Sequence, residues 1–378
     1  MTANPARLLR ELIALPSVNP ALLPGDPARA GERRVAEFLA ATAARAGLDV
    51  DLQEVVPGRS NLMAVLGTSR KPRRRVLLAP HMDTVGVASD SFFTPVTKSR
   101  RIYGRGACDT KGSAAAMLSA LFELASKATR PTETEIVFCG LIDEEVGQAG
   151  SRFLVRRGFK ADLAIVGEPT RCQVVTAHKG DLWLKLETRG KAAHGARPDL
   201  GRNAVHEMAK IVDVLESDYA AALRHRRHPF LRPPTVNVGA IAGGRQPNIV
   251  PDRCVIDIDR RTLPGESDGA VKREILRFIR RRGLNATMAD TKGEAVAPPM
   301  QTDPQLPLVQ AFLRAAGQRR PLGVDFFTDA GVLAAGGIPS VVFGPGDIAQ
   351  AHTVDEWVAI SQLERATRLL SKFLSSLD

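Results

Sequence analysis

At 378 residues, 44% of them apolar and 25% charged, the chain is too long for one ordinary core of about 100–200 residues and has the composition of a folded globular protein. No apolar run approaches the roughly 20 residues of a bilayer span, so a helical membrane protein is excluded. The net charge of +11 comes largely from arginine knots, "KPRRR" (71–75), "RHRRH" (224–228) and "RFIRRR" (277–282); they lack the run of stacking aromatics that single-stranded nucleic acid requires, and no nucleic-acid partner is expected. A general pull on acidic substrates remains reasonable.

In chain order, the N-terminus "MTANPARLLRELIALPSVNP" carries charges inside its apolar pattern, unlike a secretory signal, and reads as an amphipathic helix over Ala6–Leu15 of a cytoplasmic protein. Helical periodicity recurs at Glu32–Ala46, Gly112–Ala125 and Ile360–Leu374. Between these lie short apolar, branched runs at 74–80, 135–142, 162–168 and 338–344, bounded by turn residues, as in a largely parallel sheet covered on both faces. The middle of the chain differs, since 182–188 and 253–260 alternate apolar and polar residues like half-exposed antiparallel strands. Strand 182–188, helix 200–216, strands 234–241 and 253–260, helix 267–281 and strand 284–290 give the β-α-β-β-α-β order of a ferredoxin-like unit. The expected fold is therefore α/β: a three-layer, mostly parallel catalytic domain over 1–178 and 292–378, with an inserted ferredoxin-like lid over 179–291. Four cysteines, Cys108, Cys139, Cys172 and Cys254, form no C-x-x-C pair and fit buried thiols in a reducing compartment.

The chemistry-bearing residues follow the apolar runs. His81 and Asp83 in "LLAPHMDTVG" lie just past a buried strand, where open α/β sheets put their ligand sites. Asp109 sits in the glycine-punctuated turn "YGRGACDTKG"; taken alone it is equally a helix cap. "LIDEEVG" packs Asp143, Glu144 and Glu145 together, "AIVGEPT" adds Glu168, and "GPGDIAQAHTVDE" adds His352. Each fits a solvated loop by itself. Together, two histidines and several carboxylates behind strands of one sheet can converge, and three adjacent carboxylates repel one another unless a cation is near. Imidazole and carboxylate without thiolate suit zinc, and a shared aspartate can bridge two ions.

From "ELIALPSVNP" through "HMDTV", "GRGACDTKGS", "DEEVGQAGS", "VGEPT" and "GGRQPNIVPDRC" to "GIPSVVFGPG" and "AHTVDEWV", the chain resembles the two-zinc aminoacylase, deacylase and carboxypeptidase family that contains acetylornithine deacetylase and succinyl-diaminopimelate desuccinylase. The resemblance implies one zinc on His81, Asp109 and Glu168 and a second on Asp109, Glu145 and His352, with cobalt or manganese also acceptable. It makes Glu144 the general base and then acid for a hydroxide attacking the amide carbonyl of an N-acyl amino acid. Asp83 would accept the other ring N–H of His81 without touching metal. His194 in "GKAAHGARPD" would reach the neighbouring subunit of a lid-mediated homodimer and stabilise the oxyanion. Asn248 and Arg261 would hold the substrate carboxylate; spacing to "LPG" favours Arg261 over its neighbour Arg260. "GPGDIAQAH" looks most like the acetylornithine deacetylase branch, with desuccinylase or dipeptidase as alternatives. The competing class is a basic, non-catalytic binding protein on the same fold. A retired enzyme, however, has no reason to keep a full ligand set together with Glu144.

Overall fold

A computed structural model describes residues 4–69, 71–126, 130–289 and 297–378. The chain divides into two compact units, one of Met1–Ala177, Met300–Gly323 and Thr328–Asp378, the other of His178–Pro299 and Val324–Phe327.

The larger unit is built on one sheet. Its strands run in the order Asp49–Val56, Arg59–Leu66, Thr134–Gly140, Arg74–Pro80, Leu163–Gly167, Ser340–Val342, Val175–His178 and Met300–Gln301. The four central strands, from Thr134–Gly140 to Ser340–Val342, are parallel; the outer hairpin 49–66 and the Val175–His178 strand are antiparallel. Residue alternation sorts the two faces. Val76, Leu78, Ile136, Phe138, Leu163, Ile165 and Val341 join one large core with the helices Pro5–Ile13, Lys111–Ala125, Pro307–Ala316 and Ile360–Leu374. Their neighbours Leu77, Val137, Ala164 and Val342 are equally buried on the opposite face, where helices Ala149–Arg156 and Asp329–Ala335 pack. Burial on both faces explains why these strands read as continuous apolar runs.

Helix Lys111–Ala125, "KGSAAAMLSALFELA", is buried nearly all round because its small residues let it lie close to its neighbours. Gly112 is needed there: a Cβ would stand 2.5 Å from the Ala107 carbonyl oxygen, so no side chain fits between this helix and the loop before it. A small antiparallel sheet of Val96–Lys98, Arg101–Tyr103 and Trp357–Ala359 ties that loop to the C-terminal part of the chain.

The smaller unit is a four-stranded antiparallel sheet in the order Thr235–Gly243, Arg253–Thr262, Gly180–Arg189, Thr287–Met288. With helices Ala204–Val214 and Asp268–Arg281 this is a ferredoxin-like arrangement. Leu182, Leu184, Leu186, Ile256 and Ile258 face Met208, Ile211, Val271, Ile275 and Ile279, while Trp183 points outward.

The expected elements hold with shifted ends. The helix expected at 200–216 starts at Ala204, because Asn203 caps it by accepting from the Val205 and His206 N–H groups, and helical turns continue to Arg224. The strand expected at 284–290 contracts to Thr287–Met288, its last residue lying outside the described residues, as does the expected domain boundary at 291–292. All four cysteines are free and buried, and among the described residues no helix is long and apolar enough to cross a membrane.

Candidate metal centre

Strands Thr134–Gly140, Arg74–Pro80 and Leu163–Gly167 are adjacent and parallel, so their carboxyl ends open side by side. His81 extends the middle strand and bridges to Leu141; Glu144 and Glu145 follow one neighbour and Glu168 the other. His352 lies beyond Ser340–Val342, the next parallel strand, and Asp109 lies in the turn leading into helix Lys111–Ala125.

These side chains meet. Asp109 Oδ1 is 3.0 Å from His81 Nε2, and Asp109 Oδ2 is 3.2 Å from His352 Nε2. Glu145 Oε2 stands 3.1 Å from His352 Nε2, and Glu168 Oε1 stands 3.8 Å from His81 Nε2. Each histidine therefore faces Asp109 plus one glutamate. Donor atoms of His81, Asp109 and Glu145, and of His81, Glu144 and Glu168, lie within 4.8 Å of one another. The His352 side chain is 55% exposed, which leaves the centre open on that side, whereas His81, Asp109, Glu144 and Glu168 are buried.

Electrostatics at this point are severe. Burial and the neighbouring Glu168 carboxylate push the Glu144 carboxyl well above its usual range, and burial with Asp109 does the same to Glu168. Burial and Asp109 push Glu145 up to about 7. Burial would lower His81, but the nearby carboxylates of Asp109 and Asp83 outweigh that and raise it; hydrogen bonds to Asp109 and Glu145 raise His352 to about 10. Burial alone would raise Asp109, yet the two histidines hold it below the ordinary carboxylate range. Protons thus gather wherever positive charge is wanted. Among the described residues Glu145 Oε1 and Glu168 Oε1 are buried without any hydrogen-bond partner, the condition in which a carboxylate oxygen accepts a cation. Two imidazoles and several carboxylates, with Asp109 turning one oxygen to each imidazole, fit a pair of divalent ions such as zinc, cobalt or manganese. The thiol of Cys108 takes no part, donating instead to the Asp347 carbonyl.

Asp83 turns two acceptors toward the other ring nitrogen of His81. His81 Nδ1 lies 3.0 Å from the Asp83 main-chain oxygen and only 3.4 Å from its carboxylate. The carboxylate accepts from the Glu144 N–H (3.1 Å), the Glu145 N–H (3.2 Å) and the Asn19 side-chain amide (2.8 Å). Asp83 thereby orients the loop carrying the two glutamates, whose N–H groups take it as their acceptor. Asp143 does not join them: Arg59 and Asn19 hold its carboxylate, and Arg59 also pairs with buried Glu32. Asn19, Glu32 and Arg59 carry no local signal, and in "PGRSN" Arg59 looks like an ordinary turn residue. Asp329 is a further unanticipated carboxylate, buried on Ser151 Oγ at 2.5 Å and raised to about 7 by that burial.

In the smaller unit, His194 is exposed and its Nδ1 accepts from the Ala196 N–H. Ile249 pairs opposite it, and the Gly195 N–H donates to the carbonyl of the neighbouring Asn248 at 2.7 Å. Arg260 is buried, bonded to Tyr219, Glu266 and the Arg261 carbonyl, so Arg261 is the more accessible of the two. Arg261 already presents Nε and Nη2 to Asp259, with Asp181 at 3.2 Å, so the edge expected to fork a substrate carboxylate is in use.

Parallel strands bearing imidazoles and carboxylates at their carboxyl ends define a metal-dependent hydrolase, and comparison with known proteins names the lineage. Residues 77–376 match the model of peptidase family M20/M25/M40, and the chain belongs to that family. It is 35% identical over 320 residues, 82% of each chain, to an acetylornithine deacetylase of Myxococcus xanthus. It is 29% identical over 412 aligned positions, 97% of this chain and 92% of the relative, to an N-formyl-4-amino-5-aminomethyl-2-methylpyrimidine deformylase of Halalkalibacterium halodurans. The fold matches a dinuclear metal-binding peptidase of the M20 family from Bacillus subtilis with a TM-score of 0.69 at 13% identity, covering 98% of this chain and 96% of that one. The relatives share hydrolysis of amide bonds, and this chain is an amide hydrolase of the same family.

Proposed function

We propose that this protein removes the acyl group from an N-acyl amino acid, in the manner of an acetylornithine deacetylase. The observation that carries this reading is Asp109, with one carboxylate oxygen on each of two histidines that have separate glutamate partners. His81, Asp109 and Glu168 would hold one zinc ion, and Asp109, Glu145 and His352 the other. Bound there, the ions would supply Lewis-acid polarisation and acidify water. The Glu144 carboxyl makes no hydrogen bond among the described residues and is held at a raised pKa, which suits a group that takes a proton from water and delivers it to the leaving amine. Asp83 keeps Glu144 and Glu145 in register through their N–H groups.

His194 accepts at Nδ1, so its neutral ring carries the proton on Nε2, free to donate to an oxyanion. In this reading it does so across a homodimer formed by the ferredoxin-like unit. Asn248 and the uncommitted Nη1 of Arg261 would recognise the substrate carboxylate. The identity to a deacetylase favours an acetyl group, and the match to a deformylase keeps formyl amides as the second reading.

The test is a panel of N-acetyl, N-formyl and N-succinyl amino acids and dipeptides offered to the zinc-reconstituted protein. N-acetyl amino acids should turn over fastest; preference for formyl amides would move the assignment to the second reading, and hydrolysis of none would end it. Alongside, His352→Ala should lower the bound metal below the wild-type stoichiometry, and an unchanged metal count would remove His352 from the ligand set.

A further inference from the structure

We infer that Glu356 is the positioning residue that fixes the Asp109 turn to the His352 segment and thereby sets both oxygens of Asp109 against their histidines. Its buried carboxylate is surrounded by donors from a single loop. Oε1 accepts from the N–H groups of Cys108 (2.8 Å) and Asp109 (3.0 Å); Oε2 accepts from the N–H of Gly106 (3.1 Å) and from Arg105 Nη1 (2.7 Å). The main-chain oxygen of Glu356 accepts from the Gly104 N–H as well. Arg105 alone would balance the charge. The three backbone donors do something else: they make the turn's path depend on one carboxylate, and Gly106, at φ +83°, permits the conformation that aims them inward.

Glu356 stands four residues after His352, in the segment whose next residues, Trp357–Ala359, pair with Arg101–Tyr103 just before the turn. The Asp109 turn and the His352 segment are therefore joined twice, by a strand pair and by this carboxylate. Asp109 has its own N–H on Glu356 and its side chain between His81 and His352, so a shift of Glu356 moves both contacts together.

This inference rests on the reading of Asp109, His81 and His352 as cation ligands, and the experiment separates the two. Zinc is titrated calorimetrically into the metal-stripped full chain, wild type and Glu356→Gln, with Co²⁺ absorption spectra recorded in parallel. Gln keeps the shape but replaces one acceptor oxygen by an NH₂ facing the same donors. The expected result is two equivalents in the wild type, with both weakened roughly 10–100-fold in Glu356→Gln, as loss of an outer hydrogen-bond partner does, and altered Co²⁺ bands at both equivalents. A change confined to overall stability leaves those bands unmoved. Wild-type affinity and spectrum in the variant would overturn the inference while leaving the metal reading intact; a wild type that takes up no ion would overturn both. If Glu356→Gln does not fold, amide exchange on the wild type decides: segments 104–110 and 350–357 should gain protection in step as zinc is added, and protection at different equivalents would refute the link.

Discussion

Two groups of buried carboxylates lie side by side in the larger unit and meet opposite fates. Glu32, Asp143 and Glu356 each face a guanidinium, Arg59 for the first two and Arg105 for the third. Asp109, Glu144, Glu145 and Glu168 face imidazoles, one another, or nothing. Asp143 and Glu144 are consecutive in the chain and fall on either side of this division. The comparison teaches that crowding of like charge does not by itself mark a functional centre. A guanidinium makes the first group part of the framework, while the second has been left with charge that only protons or metal ions can answer.

The largest effect should come from the group left unanswered. Glu144→Gln should cut turnover roughly 10²–10⁴-fold while two metal equivalents stay bound. The same change relieves a buried like-charge contact, so denaturant unfolding of the metal-free variant should show no loss of stability. Near-normal kcat would sink the proton-carrier role. Arg59→Met should give the reverse pattern, a loss of about 3–5 kcal/mol in the same unfolding experiment, because buried Glu32 loses its counter-charge and Asp143 keeps only the Asn19 amide. Metal stoichiometry should stay at two, and a fall in it would mean that the two groups are one network.

A smaller effect tests a third outcome, neutralisation in place. His178 is fully buried with no counter-ion among the described residues, its Nδ1 on the Lys179 carbonyl at 2.7 Å, and burial pushes it down to about 4. In the unfolded chain it titrates near 6.5, so between those values the unfolded state binds more protons. Its contribution is then complete above pH 6.5 and is lost as the pH falls from 6.5 to 4, by up to about 3 kcal/mol. Stability of metal-free His178→Gln measured across this window should vary less with pH than the wild type. An equally steep dependence would assign the slope to the carboxylates instead.

His81, Glu144, Glu145, Glu168 and His352 stood out as candidates because each follows a strand buried on both faces, whose apolar run is hard to miss, and because strand ends of a parallel sheet share one edge; Asp109, in the turn before a helix, had no such signal of its own. The ferredoxin-like unit was legible through period-two alternation at 182–188 and 253–260. Hairpin 49–66 was not, since "DVDLQEVV" mixes charge into a half-exposed edge strand. Arg59, Asn19 and Glu356 were invisible for a different reason. Each acts on a loop far away in sequence, and no local pattern distinguishes a turn arginine that will pair with Asp143 from one that meets water. Asp83 was recognised as a partner of His81, but whether its side chain or its carbonyl meets the ring depends on the N–H groups of a loop about 60 residues away.

The hydrogen bond from the Asp109 N–H to Glu356 spans 247 residues of chain. During synthesis from the N-terminus, His81, Asp109, Glu144, Glu145 and Glu168 all emerge before the ferredoxin-like unit is made, and His352 and Glu356 only after it. All of the centre but His352 therefore waits, rich in carboxylate and without its last imidazole, through the translation and folding of an entire second unit. Such long-range closure is slow compared with local structure formation. It orders events: the nascent chain can attract ions early through its acidic segments, but it acquires its final cage, and with it any power to choose among them, only when its closing residues arrive.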